Sequence, residues 1–90
     1  MSGQEELAKE VMESGLFDEA WYLSKYQDAG LVGLSPIQHF VRFGLMLKRD
    51  PGPGFEARRY LETYPDVAEA GLDPFLHYIR FGKAEGRRPF

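Results

Sequence analysis

The chain repeats itself, and this repeat constrains the fold more than any other feature of the sequence. The segment 17–51 recurs without a gap, shifted by 38 residues, as the segment 55–89. A fixed period of this length is typical of stacked supersecondary units. Residues kept in both copies should belong to the architecture, and residues that differ are freer to serve a specific function. The kept pairs are Phe17/Phe55, Tyr22/Tyr60, Leu23/Leu61, Tyr26/Tyr64, Asp28/Asp66, Gly33/Gly71, Leu34/Leu72, Pro36/Pro74, His39/His77, Arg42/Arg80, Phe43/Phe81, Gly44/Gly82, Arg49/Arg87 and Pro51/Pro89.

The repeat divides the chain into three parts. Residues 1–16 form an N-terminal amphipathic helix, residues 17–54 a first helical repeat with a Pro/Gly linker, and residues 55–90 a second repeat. No segment shows the strict apolar–polar alternation of a half-buried strand. The sequence therefore predicts an all-α fold, with the N-terminal helix and two tandem repeats of short helices packed as one small domain. A copy of ~38 residues is below the size that usually folds alone, so the copies should share a core.

The charge distribution argues against a nucleic-acid partner. The chain has 11 lysines and arginines against 14 aspartates and glutamates, a net charge of −3. The acidity lies in residues 1–16 and both repeats are neutral, whereas nucleic-acid-binding domains carry an excess of bases. No apolar run approaches the roughly 18–20 residues that span a membrane, so we expect no membrane span. The chain has no cysteine, which fits a cytoplasmic location, and we expect no metal site and no cofactor.

Helix starts can be read from capping residues. Residues 4–14 form an amphipathic helix, and Gly15 is its expected stop. Asp18 is a good N-cap for the next helix, with Phe17 and Tyr22 at the spacing of a hydrophobic staple. The second copy keeps the staple but places Glu56 at the cap position, where glutamate is a weaker choice.

The later helices are bounded by proline and glycine. Pro65 should end or bend its helix, leaving a short turn that Gly71 closes. The first copy has Gln27 in place of this proline, so its turn should be looser. The last helix of each copy opens with a capping residue and a proline at its first position. We expect it to end at Gly44 or Gly82 in the left-handed conformation.

The two histidines are weak candidates for chemistry. His39 and His77 occupy equivalent positions, so the repeat separates them by a whole unit, whereas metal ligands cluster. Each precedes an aromatic residue on a half-buried helix. We therefore interpret each as a side chain that packs and hydrogen-bonds a neighbour, and the alternative is a ligand or a general base.

Four charged residues are kept at equivalent positions of the two copies. Asp28 and Asp66 should cap local turns, and Arg49 and Arg87 should fold back over their own unit to bond a carboxylate or helix-end carbonyls. The rival interpretation is a ligand site lined by these two arginines together with Arg42 and Arg80. No spacing of a catalytic triad, phosphate-binding loop or metal site occurs, so we expect no catalytic residue.

Two positions at which the copies diverge are candidates for binding. Trp21 is aligned with Arg59 of the second copy. Because the same position accepts tryptophan in one copy and arginine in the other, it should be at least partly exposed. An exposed tryptophan can stack on a sugar ring or dock a partner, and the alternative is that Trp21 covers Val11 or Met12 of the N-terminal helix. The second divergent position is an apolar run that either packs against the second repeat or forms a sticky external surface. The run is Leu45, Met46 and Leu47, opposite Lys83, Ala84 and Glu85.

Four stretches of the sequence resemble a known module. The strings GLFDEAWYL (15–23), YPDVAEAG (64–71), DPFLHY (73–78) and GKAEGRRP (82–89) are similar to short helical repeats of bacterial glycosyltransferases and other surface-polysaccharide proteins. Such repeats also occur in some large secreted calcium-binding-repeat proteins. They lie beside catalytic domains, so the resemblance implies an accessory role and transfers no catalytic residue. The first copy departs from the pattern at Gln27 and at residues 45–48.

Three functions remain open from the sequence. The leading hypothesis is a non-catalytic interaction module of a glycosyltransferase-type or polysaccharide-biosynthesis protein, which binds a protein partner or its parent catalytic domain. The alternative is direct binding of a glycan through exposed aromatics around Trp21, and the least favoured is a small enzyme. The chain ends at Phe90, where a further copy would begin, which suggests a piece of a longer protein.

Overall fold

Short helices make up the fold in a computed structural model that describes residues 3–90. The described part of the chain contains no β-strand, so the prediction of an all-α fold is confirmed. The N-terminal helix α1, predicted over residues 4–14, spans Gly3–Glu13. The first copy contains α2 (Glu19–Lys25), a 3₁₀ helix (Gln27–Leu31) and α3 (Pro36–His39), which continues as a π turn (Phe40–Gly44). The second contains α4 (Ala57–Thr63), α5 (Pro65–Glu69) and α6 (Pro74–His77), with its own π turn (Tyr78–Gly82).

The helix starts follow the capping pattern with one exception. The Asp18 carboxylate accepts from the Trp21 amide at 3.0 Å, as expected of an N-cap. Glu56 at the start of α4 makes no such bond. The Asp50 carboxylate of the first copy instead accepts from the Ala57 amide at 2.8 Å. The cap of α4 therefore comes from outside its own repeat, a contact that local spacing does not reveal.

The difference between the middle turns of the two copies is as predicted. Pro65 opens the α-helical α5, which is followed by Gly71 at φ +69°. The first copy, with Gln27 in place of the proline, forms only a 3₁₀ helix here. Proline at the first position fixes φ near the helical value, which favours the better-formed helix in the second copy.

The last helical segment of each copy ends at Gly44 or Gly82 as predicted, but the predicted left-handed conformation is wrong. Neither glycine has a positive φ, and the chain first reaches that region four residues later, at Lys48 (φ 59°) and Gly86 (φ 80°). Each segment widens into a π turn over its last five residues, which end at the glycine. The glycine is required for space, because a Cβ on Gly44 would lie 2.7 Å from the Tyr22 hydroxyl.

Both predicted aromatic staples are present. The ring centroids of Phe17 and Tyr22 are 5.5 Å apart, and those of Phe55 and Tyr60 are 5.3 Å apart. The two phenylalanines nevertheless differ in burial, because Phe17 is half-buried whereas Phe55 is fully buried. Phe55 lies at the centre of the domain, where its ring also meets Phe75 at 5.2 Å. The second staple is therefore part of the core that joins the copies.

Aromatic rings continue this core through both copies. Phe40 and Phe75 meet edge to face at 5.7 Å and join the last helix of the first copy to that of the second. Phe43 and Phe81 are exposed, and each ring packs beside the histidine of its own copy, at 5.4 and 5.9 Å.

Helix α1 is held by both copies. It packs against α3 and the following π turn, and Val11 is fully buried. At its other side, Glu10 accepts two hydrogen bonds from Arg80, at 2.7 and 2.8 Å. This bidentate pair holds the pKa of the Glu10 carboxyl below its usual value. The N-terminal helix is thus an integral part of the domain.

We predict that Gly44→Ala lowers the free energy of unfolding by about 1–3 kcal/mol, because a methyl group here must displace the Tyr22 hydroxyl and the Phe40 ring. Gly30→Ala is the matched control. Its new Cβ would approach nothing nearer than Leu23 Cδ2 at 3.9 Å, so it should be neutral or stabilise by about 0.4–1 kcal/mol. Urea unfolding measures both values. Equal effects of the two substitutions would contradict the steric role of Gly44.

Candidate functional site

Four of the retained aromatic residues belong to the packing of the fold. Phe55, Tyr22 and Tyr60 are each 0% exposed, so none of their rings can contact a ligand from solvent. Phe17 is half-buried and packs against the Tyr22 and Phe40 rings. These four positions therefore lie outside any surface that could bind a ligand.

Each copy contains a tyrosine–histidine hydrogen bond between its first and last helices. The Tyr22 hydroxyl and His39 Nδ1 are 2.8 Å apart, as are Tyr60 and His77. His39 is only 4% exposed, and burial, followed by the nearby Arg49 charge, lowers its pKa. Burial raises the pKa of Tyr22 and raises that of Tyr60 to about 12. His39 and the two tyrosines are therefore neutral at pH 7, and each hydroxyl finds its partner inside the fold.

The retained arginine of the first copy forms a clamp with an aspartate and a tyrosine. Arg49 donates to Asp28 at 2.9 Å and lies over the Tyr26 ring, 4.6 Å from its centroid. The Tyr26 hydroxyl accepts from the Asp50 amide at 2.9 Å. The hydrogen bond from Arg49 lowers the pKa of the Asp28 carboxyl. The clamp thus ties the end of the first copy back onto its first two helices.

The second copy repeats this clamp. Arg87 donates to both oxygens of Asp66, at 3.0 and 2.9 Å, and lies 4.8 Å from the Tyr64 centroid. Its bond to Asp66 lowers the pKa of that carboxyl. The Tyr64 hydroxyl accepts from the Arg88 amide at 2.7 Å. The retained arginines therefore have partners within their own units, as the sequence suggested.

The rival site lined by four arginines is not formed. Arg49 and Arg87 are held by their aspartates, and Arg80 is held by Glu10. Arg42 lies over the Phe43 ring, 5.8 Å from its centroid. Each guanidinium is thus engaged at a different place in the fold.

An open groove of about 760 Å³ lies between the two copies. One wall comes from the end of α2 and the segment that closes the first copy, and the other comes from α4. The groove exists here because Asp50, at the end of the first copy, caps α4 and holds it against that segment. The lining residues are Lys25, Tyr26, Leu47, Lys48, Arg49, Asp50, Glu56, Arg58, Arg59 and Glu62.

The cations of the groove mostly lie where the two copies differ. The groove has five basic residues against three acids, a net charge of 5 − 3 = +2, in a chain whose net charge is −3. Only Arg49 has a basic counterpart in the other copy. The other four face uncharged residues in the alignment, namely Lys25/Thr63, Lys48/Gly86, Arg58/Ala20 and Arg59/Trp21. The repeat architecture therefore does not require these four charges.

Two of the binding candidates predicted from the sequence line this groove, and a third lies beside it. The two that line it are Arg59 and Leu47. Trp21 is half-buried beside it, in edge contact with Tyr26 at 6.3 Å and beneath the ammonium group of Lys25. Trp21 does not cover the N-terminal helix, because α1 packs on α3 and on the π turn that follows it.

The apolar run after Gly44 is split between two roles. Leu45 is 8% exposed and belongs to the core, so it is not part of an external binding surface. Met46 and Leu47 are 69% and 49% exposed. Sequence reasoning missed Lys25 and Lys48 as groove residues, although the asymmetry between the copies was a signal that could have found them.

A second cavity lies beside His77 but is small. Its volume is about 100 Å³, and Asp73 and Arg80 also line it. The Asp73 carboxylate accepts from the Leu76 amide at 3.0 Å, and burial raises its pKa. Binding sites for small molecules usually measure roughly 300–1,000 Å³. The cavity therefore has room for a few waters but not for a substrate.

The described residues contain no candidate metal centre and no membrane-spanning helix. Within residues 3–90, no group of three or more histidine, aspartate or glutamate residues could hold a metal ion. None of the described helices has the length and apolarity needed to cross a membrane. Comparison with protein-family models, curated proteins and solved structures gives no match.

We predict that stability falls as the pH drops below about 6.5, in part through His39. Its pKa is lower in the folded state, so the unfolded chain binds more protons in this range. The contribution of His39 to stability is complete above its pKa in the unfolded chain and is lost as the pH falls toward its pKa in the folded state. Urea unfolding of wild type and His39→Gln at about pH 7.5 and 5.5 tests this. Between these two pH values the variant should lose less free energy of unfolding than the wild type does. An identical loss in both proteins would contradict the prediction.

Proposed function

We propose that the chain is a non-catalytic interaction module of a glycosyltransferase-type or polysaccharide-biosynthesis protein. The groove between the copies is its docking surface for a protein partner or for the catalytic domain of its parent protein. One observation carries the proposal: the groove gathers residues at which the copies differ, whereas the retained polar residues are engaged in the architecture. The resemblance of the repeat motifs supports the polysaccharide setting.

The engagement of the histidines favours binding over catalysis. Nδ1 of each histidine is bonded to a tyrosine hydroxyl, His39 is only 4% exposed, and His77 lines only the small cavity of about 100 Å³. The large groove contains no histidine. The histidines thus have a sufficient role in holding the first and last helices of each copy together.

Two contacts favour a protein partner over a sugar. Sugar rings stack on the free face of an aromatic side chain, and the faces near the groove are occupied. Lys25 Nζ lies 5.5 Å from the centre of the Trp21 ring system, and Arg49 covers the Tyr26 ring. A ligand that approaches this surface therefore meets cations before it meets aromatic faces.

The exposed apolar pair beside the groove also suits a protein partner. Met46 and Leu47 are exposed, while the second copy has Ala84 and Glu85 at these positions. Apolar side chains framed by charged residues are common where proteins meet, because the apolar centre excludes water and the polar rim sets orientation. The pair thus provides an apolar contact next to the basic wall.

We predict that a photo-reactive amino acid at Leu47 forms a covalent adduct with a protein partner in cells that make the full parent protein. The matched control places it at Glu85, the exposed equivalent in the second copy. Adducts found by mass spectrometry should appear from position 47 and include a component of glycan assembly or the parent catalytic domain. Equal adducts from both positions, or none from position 47, would count against the groove as the docking surface.

We also predict that neutral oligosaccharides leave the spectrum of the domain unchanged. Lys25 and Arg49 cover the ring faces that a sugar would need, so the Trp21 indole signal should not shift at millimolar sugar. An amide-and-indole NMR titration with a pool of neutral bacterial surface oligosaccharides measures this. Saturable shifts centred on Trp21 would replace the protein-docking proposal by direct glycan binding.

A further inference from the structure

We infer that the groove accepts an acidic polypeptide segment that carries an aliphatic side chain among its carboxylates. This inference rests on the proposed docking function and names the chemistry of the docked segment. It follows from three properties of the groove: the sign of its charge, the cations that form no ion pair within 4.0 Å among residues 3–90, and the leucine in its wall.

The charge of the groove opposes that of the whole molecule. The chain carries −3, yet the ten groove-lining residues sum to 5 − 3 = +2. An acidic ligand is therefore attracted to this surface and disfavoured elsewhere. Local complementarity of this kind steers association and sets register more than it adds affinity.

Three of the groove cations have no carboxylate partner. Within residues 3–90, Lys25, Lys48 and Arg58 form no ion pair within 4.0 Å. Arg59 makes only a long, exposed contact of 3.5 Å with Glu56. Exposed pairs of this type contribute little, so a ligand carboxylate could take over this arginine at small cost. Four cations are thus available to a ligand.

The acids in the groove leave room for this partner. Asp50 accepts a hydrogen bond from the Ala57 amide, and its half-buried carboxylate is also attracted by the Lys25 and Arg58 charges. The Arg49 charge is balanced by Asp28, which lies outside the groove lining. Glu56 and Glu62 are the other two acids, so the four available cations stand against three carboxylates, a balance of 4 − 3 = +1. The surface that a ligand meets therefore keeps a net positive charge.

The leucine in the wall points to a polypeptide rather than an anionic glycan. Leu47 lines the groove, and Met46 extends its apolar surface outward. An aliphatic side chain can bury against these two residues, whereas a uronic acid chain offers mainly hydroxyl and carboxylate groups. The occupied faces of Trp21 and Tyr26 remove the contact by which a sugar would compensate.

The test is an NMR titration of the whole chain with three probes. The first is the peptide Glu-Glu-Leu-Glu-Glu-Leu-Glu-Glu, the second is its Gln-for-Glu analogue of equal length, and the third is oligogalacturonate. The acidic peptide should cause saturable shifts at amides of residues 47–48 and 58–59. Raising the ionic strength from about 0.05 to about 0.5 M should weaken its binding several-fold, because exposed charges are screened. The neutral analogue should bind at least tenfold more weakly, a difference of about 1.4 kcal/mol.

Variants separate the groove from the rest of the surface. The double substitution Lys25→Glu with Arg58→Glu should reduce the affinity for the acidic peptide by roughly tenfold or more. The single substitution Lys83→Glu changes an exposed lysine outside the groove and should leave the affinity within about twofold. Unshifted amides elsewhere in the spectrum of the double variant show that it remains folded.

Each outcome is decisive. Equal binding of the two peptides, or salt-independent binding, would overturn the acidic assignment. Saturation by oligogalacturonate with a silent acidic peptide would reassign the groove to an anionic glycan and remove the protein partner as well. The cross-link from position 47 reports docking whatever the charge of the partner. An adduct there without a response to the acidic peptide would therefore reject this inference and leave the docking function standing.

Discussion

Asp50 connects the two copies, and the groove between them depends on this residue. Its amide donates to the Tyr26 hydroxyl of the first copy, and its carboxylate accepts from the Ala57 amide at the start of α4. In the second copy, Arg88 keeps the backbone bond to a tyrosine but has no carboxylate to offer. The backbone hydrogen bond to a tyrosine hydroxyl thus occurs in both copies, whereas the carboxylate cap occurs only at the junction between them. A junction held from both sides in this way positions α4 as the second wall of the groove.

The helices are too short to be stable without this shared packing. The longest spans 11 residues and α3 and α6 span only four each, whereas isolated helices below roughly 12–15 residues are marginal in water. The aromatic seam through Phe40, Phe75 and Phe55 supplies the tertiary contact that local propensity cannot. The Tyr–His bonds then fix how the helices of each unit meet, since an unsatisfied buried hydroxyl or imidazole would be costly.

The sequence predicted those features that short-range chemistry determines. The all-α class, the Asp18 cap, the aromatic staples and the positive φ of Gly15 and Gly71 all follow from residues a few positions apart. The conformation predicted for Gly44 was wrong because a chain can need glycine either for a positive φ or for its lack of a side chain. Only the approach of Tyr22, which is distant in sequence, shows that Gly44 is needed for its lack of a side chain. The cap of α4 was missed for the same reason, because its donor and acceptor belong to different repeats.

The groove could be predicted only in part, and the divergence of the copies explains why. In a stack of two units the copies have different neighbours, so equivalent positions meet different surroundings. Leu45 is buried in the core whereas its counterpart Lys83 is exposed, so the same position has different packing in the two copies. Packing explains this difference, but it does not explain why the basic residues Lys25, Arg58 and Arg59 replace neutral ones on an open wall. Since the fold is built without these charges in the other copy, they are free to serve the recognition that we propose for the groove.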